Sequence, residues 1–302
     1  MDENDHPYSW SALFNGYNPN EMAKWADPII LNYLAKEPKD TLCIPDVHVS
    51  HIWTDNPLGA EHIAQACLIP HIVNRPEDVI GKVDAIIMPT DIGHEHVERC
   101  TPFVEAKLPI LVDKPLVDNE KDLKTFNRWV SQGSAILSCS FMRYCKEYLP
   151  YQASKHDLGQ IRFASITTPK SWERYSIHPL EGIYTILGPG FISAQNTGTY
   201  EKNIVHLEHQ CGADVIVVAT CDMFGALGAL SLVGTKGHTA VTMSDRYYGF
   251  KTQLSNFIQY LRTGIQPFPF SQTLEIMKMV IGGIRRREEN GRKVFLPEIN
   301  ES

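Results

Sequence analysis

The sequence predicts two domains of different fold class: an α/β domain with a parallel sheet, then an α+β domain with an open, mostly antiparallel sheet. Residues 47–140 alternate strand and helix patterns, as chains of the first class do. Residues 83–88 are almost continuously apolar, which is typical of a strand buried on both faces. Residues 204–243 hold successive strand patterns with short connections, as in an antiparallel sheet. We place the domains at 1–145 and 146–302.

Composition indicates a soluble globular protein. The 302 residues are 43% hydrophobic and 21% charged, with a net charge of −7, so binding to a nucleic-acid backbone is excluded as the main function. No apolar run reaches transmembrane length, and the acidic start is unlike a secretion signal. Seven cysteines without CxxC spacing predict reduced thiols in a cytoplasmic protein, and we expect no metal site.

The first domain is predicted element by element. Residues 6–16 are predicted to be a loop that leads into a short helix, which Ser9 would cap and Gly16 would end. Helices are predicted where apolar residues recur at helical spacing, and strands where β-branched residues alternate or run together. The predicted helical segments are 18–25, 28–36, 59–67, 75–80, 94–106 and 120–132, and the predicted strands are 47–53, 72–73, 83–88, 110–112 and 135–140.

The second domain combines a sheet with three helices. A helix over 176–187 is closed by the glycines and proline that follow it. One face of the sheet in 204–243 carries apolar residues with nothing predicted to cover it, so we expect a homodimer or homotetramer through this face. The predicted strands are 160–166, 204–209, 214–220, 229–233 and 239–243, and the other helices are 250–261 and 271–286.

A short motif, Asp113-Lys114-Pro115, follows the apolar strand 110–112. Ligands of open parallel sheets bind outside the carboxyl ends of the strands. A lysine held there is partly removed from water, which favours its neutral, proton-exchanging form. Taken alone, three such residues favour a surface lysine after an ordinary strand, because short motifs often match by chance.

Three segments in order resemble the glucose–fructose oxidoreductase / inositol dehydrogenase (Gfo/Idh/MocA) family. The first is Val83–Ile87 with the loop 89–96 behind it, and the second is 103–109 leading into the Asp-Lys-Pro motif, which is usually Glu-Lys-Pro in the family. The third is His178-Pro179-Leu180-Glu181 within the predicted helix. The resemblance implies a Rossmann-like dinucleotide-binding domain followed by a domain for substrate and oligomerisation.

The resemblance further implies an NAD(P)-dependent oxidoreductase that transfers a hydride to or from a sugar, inositol or related polyol. Lys114 and His178 would face each other across the cleft, with His178 as proton acceptor and Lys114 orienting the substrate. The family places an aspartate four residues before the histidine, where this chain has Arg174, and Glu173 lies one residue away. The expected catalytic set is therefore incomplete.

Substrate contacts are expected at the domain junction and in the second domain. By the resemblance, Arg143 and Tyr144 would line the cleft, Trp172 would offer an apolar wall, and Glu181 would belong to the histidine's motif. Tyr184 is a further candidate wall, although core packing explains it better.

The family's opening strand and glycine-rich turn have no counterpart in this sequence. That strand lies in the middle of the sheet, so its neighbours would lose backbone partners at a cost on the order of 1 kcal/mol per unpaired buried group. Either Met1 is an internal methionine of a longer reading frame, which we favour, or the N-terminus is divergent. An in-frame stop just upstream of Met1 would contradict the first explanation.

The cofactor is expected to be NAD or NADP, with its binding weakened by the missing turn. An acid after strand 47–53 would bond the adenosine ribose, and Asp55 fits that position, whereas Thr54 there would favour NADP. Asp55 is equally suited to forming a turn. The other expected contacts are His6, Ser9 and Trp10 near the pyrophosphate and Pro89, Thr90, Asp91, Asp113 and Lys114 near the nicotinamide.

Three functions remain open from the sequence. The first is the oxidoreductase just described. The second is a nucleotide- or sugar-binding regulatory protein without chemistry, which the incomplete catalytic set and the absent glycine turn favour. The third is a lyase or glycosidase that uses the nicotinamide transiently, as some relatives do.

Overall fold

The computed structural model describes residues 5–154, 157–288 and 291–301, so residues 1–4 of the predicted first domain lie outside it. The first half has the predicted alternation of helices and short parallel strands. Its elements are α1 His6–Asn15, α2 Pro19–Trp25, α3 Pro28–Leu34, α4 Lys39–Leu42, β1 His51–Ile52, α5 Pro57–Cys67, β2 His71–Ile72, β3 Ile86–Met88, α6 His96–Glu105, β4 Ile110–Val112, α7 Glu120–Ser131 and β5 Ile136–Leu137.

Helix α1 shows how local sequence sets these boundaries. Pro7 lies in its first turn, where a missing N–H costs nothing, and Gly16 follows its end with φ of 77°. The prediction that Ser9 caps this helix is wrong. Asp5 occupies the capping position, and Ser9 is buried inside the first turns, where its hydroxyl donates to the His6 carbonyl.

The first sheet is divided into two pieces. β1 pairs with β2, and β3, β4 and β5 form a separate three-stranded piece, all of them parallel. Within the described part of the chain, no strand joins β1 to β3. The predicted strands 47–53 and 83–88 are shorter in the structure, at His51–Ile52 and Ile86–Met88.

The second half forms one seven-stranded sheet, in the order β11 (His238–Thr242), β10 (Ala229–Gly234), β6 (Ile161–Pro169), β9 (Ala213–Thr220), β8 (Lys202–His209), β7 (Phe191–Asn196), β12 (Val294–Phe295). Only β6 and β9 are parallel, so the sheet is mostly antiparallel, as predicted. Its elements are β6 Ile161–Pro169, α8 Trp172–Tyr175, α9 Ile177–Leu187, β7 Phe191–Asn196, β8 Lys202–His209, β9 Ala213–Thr220, β10 Ala229–Gly234, β11 His238–Thr242, α10 Arg246–Thr263, α11 Phe270–Glu288 and β12 Val294–Phe295.

One face of this sheet is buried under α9 and α11, and the other is open. Trp172 packs so tightly on α11 that a Cβ added at Gly283 would lie 2.4 Å from its ring. The open face exposes Phe163, Ile204 and Val233 by 38–48%. In the described residues, no helix is both long and apolar enough to span a membrane.

Helix α10 connects the two halves. It begins in the second half but contacts α1, α3 and the turn 141–144 of the first half. Phe250 on α10 packs against the rings of Phe141 and His6, at centroid distances of 4.4 and 5.4 Å. The two halves therefore share a packed junction, and the domain boundary near 145 stays a prediction.

Candidate active site

The Asp-Lys-Pro motif lies at the carboxyl end of β4, as predicted, and it is almost completely buried. Asp113 accepts a hydrogen bond from the Lys114 backbone N–H at 2.7 Å, and its second oxygen lies 2.6 Å from His6 Nδ1. Burial alone would raise the pKa of Asp113, but the charges of His6 and Lys114 outweigh it and lower the pKa below its usual value. Asp113 is therefore held as a carboxylate.

The ammonium of Lys114 faces a second buried acid, Asp91. Nζ of Lys114 lies 3.8 Å from Asp91 Oδ2, and it lies 4.8 Å from the centre of the Tyr175 ring. The guanidinium of Arg174 donates to both oxygens of Asp91 at 2.8–3.1 Å. Arg174 stands where the family has an aspartate. Its partner here is Asp91, an acid from the first half of the chain that lies beside Lys114.

His178 also contacts Tyr175. The two rings meet edge to face at 5.0 Å, and His178 Nδ1 lies 2.7 Å from the hydroxyl oxygen of Ser140. Burial, followed by the positive charges of Lys114 and His6, holds the pKa of His178 well below its usual value. The imidazole is therefore neutral near pH 7 and able to accept a proton.

These groups surround a cavity of about 700 Å³ between the strand ends and α9. Asp91, Tyr175 and His178 lie on its wall, and Lys114 contacts the first two of these from behind. Residues 25–33 of α2 and α3 form the far side of the cavity. A pocket of this size suits a small molecule, and its polar groups converge from both halves of the chain.

The structure does not bring the four predicted substrate-binding residues to this cavity. Arg143 and Glu181 form a buried ion pair, with Nε and Oε2 2.5 Å apart, and Arg143 also donates to Gln272 at 2.9 Å. Trp172 is fully buried and donates to the Val280 carbonyl. Tyr144 is half-buried, follows directly on Arg143 and does not line the cavity. These side chains hold the junction and the second domain together.

A second cavity, of about 560 Å³, lies where the adenosine was expected. Asp55 and Pro89 are on its wall, together with Arg99 of α6, whose guanidinium donates to both oxygens of Asp55 at 3.0–3.2 Å. The Asp55 side chain is 70% exposed and so remains open to a ligand. Thr54 is turned aside, because its hydroxyl donates to the Asn56 carbonyl at 2.6 Å.

His96 is a structural residue that the sequence analysis missed. It is fully buried, and its two ring nitrogens lie 2.9 Å from the Leu116 carbonyl and 2.8 Å from the Thr90 carbonyl. It therefore connects the loop after β3 to the segment after β4. Gly93 lets the same segments touch, since a Cβ there would lie 2.7 Å from the Val117 carbonyl carbon.

The three residues expected near the pyrophosphate are on α1. His6 and Ser9 line the 700 Å³ cavity, whereas Trp10 lines a different one, of about 520 Å³. Trp10 stacks on His6 with ring centres 4.8 Å apart. The first turn of α1 is thus at the strand ends, where a dinucleotide pyrophosphate binds in Rossmann-like domains.

Solved structures of dehydrogenases share this fold. An oxidoreductase from Agrobacterium radiobacter in complex with NAD+, L-tartaric acid and magnesium superposes with a TM-score of 0.74 at 14% identity, covering 93% of this chain and 96% of that one. A myo-inositol dehydrogenase from Corynebacterium glutamicum gives 0.69 at 18% identity, with coverages of 88% and 94%. An apo scyllo-inositol dehydrogenase from Lactobacillus casei gives 0.73 at 12% identity, with coverages of 90% and 96%.

No protein-family model matches the sequence, and no curated protein sequence matches it either. At these identities the structural likeness establishes the fold. The predicted fold, a Rossmann-like domain followed by an α+β domain with an open sheet, is confirmed.

Proposed function

We propose that the protein is an NAD-dependent oxidoreductase that acts on a CH–OH group of a sugar, inositol or related polyol. The observation that carries this proposal is the pairing of a neutral His178 with a buried Lys114–Asp91 pair around one cavity at the strand ends. The substrate class follows the names of the structural neighbours, several of which are inositol dehydrogenases.

The residues present fit the two ends of a dinucleotide. Asp55, exposed at the end of β1, is suited to accepting hydrogen bonds from the ribose hydroxyls of NAD, and its carboxylate would repel the 2′-phosphate of NADP. Pro89, Thr90 and Asp113 would border the nicotinamide end. When bound, the nicotinamide would accept or supply the hydride.

The proton is assigned to His178. Its Nδ1 is engaged by Ser140, so Nε2 is left to face a substrate hydroxyl. If Nδ1 donates to the Ser140 oxygen, Nε2 carries a lone pair and can take the hydroxyl proton as the alcohol is oxidised. The buried position keeps competing water away from this nitrogen.

Lys114 and Asp91 are assigned to orienting the substrate. The Lys114 ammonium lies behind the cavity wall, against Asp91 and Tyr175, and would act on the substrate through Asp91, which lines the cavity. Asp91 keeps this ammonium and the Arg174 guanidinium together in a small volume. We propose that Lys114 and Asp91 together do the work for which the family uses an aspartate in the place of Arg174.

We further propose that two copies of the chain associate through the open face of the second sheet and that the protein works in the cytoplasm. Phe163, Ile204 and Val233 are apolar and exposed on that face, on strands β6, β8 and β10. The seven free thiols are compatible with a reducing compartment. Light scattering should give a mass twice that of the chain, and the Ile204→Lys variant should have the mass of a single chain.

The test of function has two stages. Calorimetry with NAD and NADP comes first, followed by absorbance of reduced nicotinamide with a panel of inositols and sugar alcohols. We expect NAD to bind more tightly than NADP, and at least one polyol to be oxidised. His178→Gln and Lys114→Met should each lower kcat by about 10²–10⁴-fold, whereas Lys121→Met, on an exposed face of α7, should not.

Other outcomes would replace this proposal. Tight nucleotide or polyol binding without turnover would indicate the regulatory protein. Cleavage of a glycoside with no net change in nicotinamide would indicate the lyase or glycosidase. A protein that binds neither nucleotide would contradict the cofactor assignment.

A further inference from the structure

Two basic side chains from the second half of the chain, Lys170 and Arg246, line the cavity of about 700 Å³. Lys170 follows β6, Arg246 begins α10, and both side chains are half-buried. Within the described residues, neither forms an ion pair or donates a hydrogen bond to a carboxylate. A cation that is partly removed from water and has no counter-charge is stabilised by an anionic ligand.

The acids nearest to these cations along the chain are engaged elsewhere. Glu173 pairs with Arg287, and Asp245 pairs with Lys146. Neither acid is therefore available to neutralise the two cations.

Three acids on the cavity wall itself also have partners. Asp91 accepts hydrogen bonds from the Arg174 guanidinium through both of its oxygens. Asp27 Oδ1 accepts the Ile29 N–H at 2.8 Å, which caps α3, and Asp5 Oδ1 accepts the Asp27 N–H at 3.4 Å. These carboxylates are turned toward a guanidinium or toward backbone, whereas the donors of the two cations remain open to a ligand.

Lys170 lies one aromatic ring away from the proposed proton acceptor. Its Nζ is 4.6 Å from the centre of the Tyr175 ring, and that ring also contacts Lys114 Nζ at 4.8 Å and the His178 ring at 5.0 Å. Lys170 holds this place with a φ of 63°, a left-handed conformation that lysine rarely adopts. Backbone strain of this kind is concentrated at ligand-binding and active sites.

Arg246 reaches the same space from α10. Burial raises the pKa of Tyr33 well above its usual value and the charge of Arg246 opposes this, so the guanidinium lies near that hydroxyl, which is also on the cavity wall. The hydroxyl stays protonated and can donate to an anion. Burial is the main cause of the lowered pKa of His178, and the charges of Arg246 and Lys170 add to it. Both charges therefore act on the space in front of the imidazole.

We propose that the substrate is a polyol that carries an acidic group, a carboxylate or a phosphate, and that Lys170 and Arg246 bind this group. The inference rests on the proposed function, because it names the substrate class of the same site. A guanidinium can donate two parallel hydrogen bonds to either acidic group, and an ammonium adds a compact positive charge beside it. Holding the acidic end in this way would present a hydroxyl further along the substrate to His178.

The pyrophosphate of NAD is the competing anion for these cations. Its expected place is the first turn of α1, where His6 and Ser9 line the same cavity. Lys170 instead contacts Tyr175, beside His178, so we assign it to the substrate.

The experiment measures binding of matched ligands by calorimetry, without nucleotide and with NADH, which cannot oxidise them. Gluconate and glucitol share one carbon chain and differ only in the carboxylate, and glucitol 6-phosphate tests the phosphate. We expect at least one of the two acidic ligands to bind about tenfold or more tightly than glucitol, and the tighter one identifies the acidic group. Raising the salt concentration should reduce this preference.

Lys170→Met and Arg246→Met should each reduce the preference for the acidic ligand by about tenfold, because each removes a charged donor. Their affinity for glucitol should not change, which also shows that the variants are folded. Lys121→Met and Arg128→Met make the same changes on the exposed side of α7 and should leave the preference as it was.

Three results would overturn the inference. The first is that neither acidic ligand binds more tightly than glucitol, and the second is an unchanged preference in both cavity variants. The third is a loss of NADH affinity in these variants as large as the loss for the acidic ligand, which would assign the cations to the pyrophosphate. Binding is measured without turnover, so these results are distinct from failure of the proposed function. A protein that oxidises neutral polyols equally well would keep that function and lose this inference.

Discussion

Replacing Asp91 with asparagine tests whether the Lys114–Asp91–Arg174 cluster holds the two halves of the site together. The Asp91 side chain is 6% exposed and Arg174 is 21% exposed, so the pair is mostly removed from water. Removing one partner of a buried ion pair costs about 3–5 kcal/mol, and the partial exposure of Arg174 favours the lower end. A loss of about 3 kcal/mol corresponds to a fall in melting temperature of about 6–12 °C.

Thermal and urea unfolding would measure this loss. Glu21→Gln is the matched control, because it makes the same change in the exposed Glu21–Lys24 pair and should cost at most about 1 kcal/mol. In the double variant Asp91→Asn, Arg174→Gln, the loss should be smaller than the sum of the two single losses, since no uncompensated guanidinium remains. An Asp91→Asn protein as stable as Glu21→Gln would refute the reasoning.

Three further predictions rest on other parts of the site. The pKa of His178 is held below 6.5 in the folded protein, so at lower pH the unfolded chain binds a proton that the folded protein does not. The free energy of unfolding should therefore fall as pH drops below about 6.5, by up to about 1.4 kcal/mol per pH unit. Urea unfolding at pH 5.5 and 7.5 measures this, and an unchanged slope in His178→Gln would contradict it. Gly93→Ala should cost about 1–3 kcal/mol by forcing the loops apart, whereas Gly225→Ala, with nothing within 4 Å, should be neutral. Asp55→Asn should weaken NAD binding by about 10–100-fold in calorimetry and leave NADP less affected.

Local sequence was sufficient where an element is defined by its own residues. Strand 110–112 is found as predicted, because an apolar run ended by Asp113 and Pro115 has few alternatives. The strand predicted at 47–53 is only two residues long in the structure, where it pairs with β2. The length of a strand depends on the backbone it pairs with, and the local sequence pattern does not show that partner. Phe191–Asn196 was missed as a strand, since its mixed apolar and polar residues follow a Gly-Pro-Gly turn.

The site was predicted in part for the same reason. His178 lines the 700 Å³ cavity and Lys114 lies behind its wall, because the motifs that carry them are short and local. The link from Arg174 to Asp91 joins residues 83 positions apart, and only the fold reveals that partnership. The inward turn of Arg143 toward Glu181, 38 positions away, was equally invisible in the sequence.

The two carbonyl contacts of His96 have a consequence for how the nucleotide end of the site forms. One buried imidazole lies between the loop that ends in Thr90 and the segment around Leu116, so movement of either segment disturbs the packing of the other. They should open and close as a single cooperative unit in native-state hydrogen exchange. A ligand that contacts only one of the two segments should then slow hydrogen exchange in both, because the two segments order together.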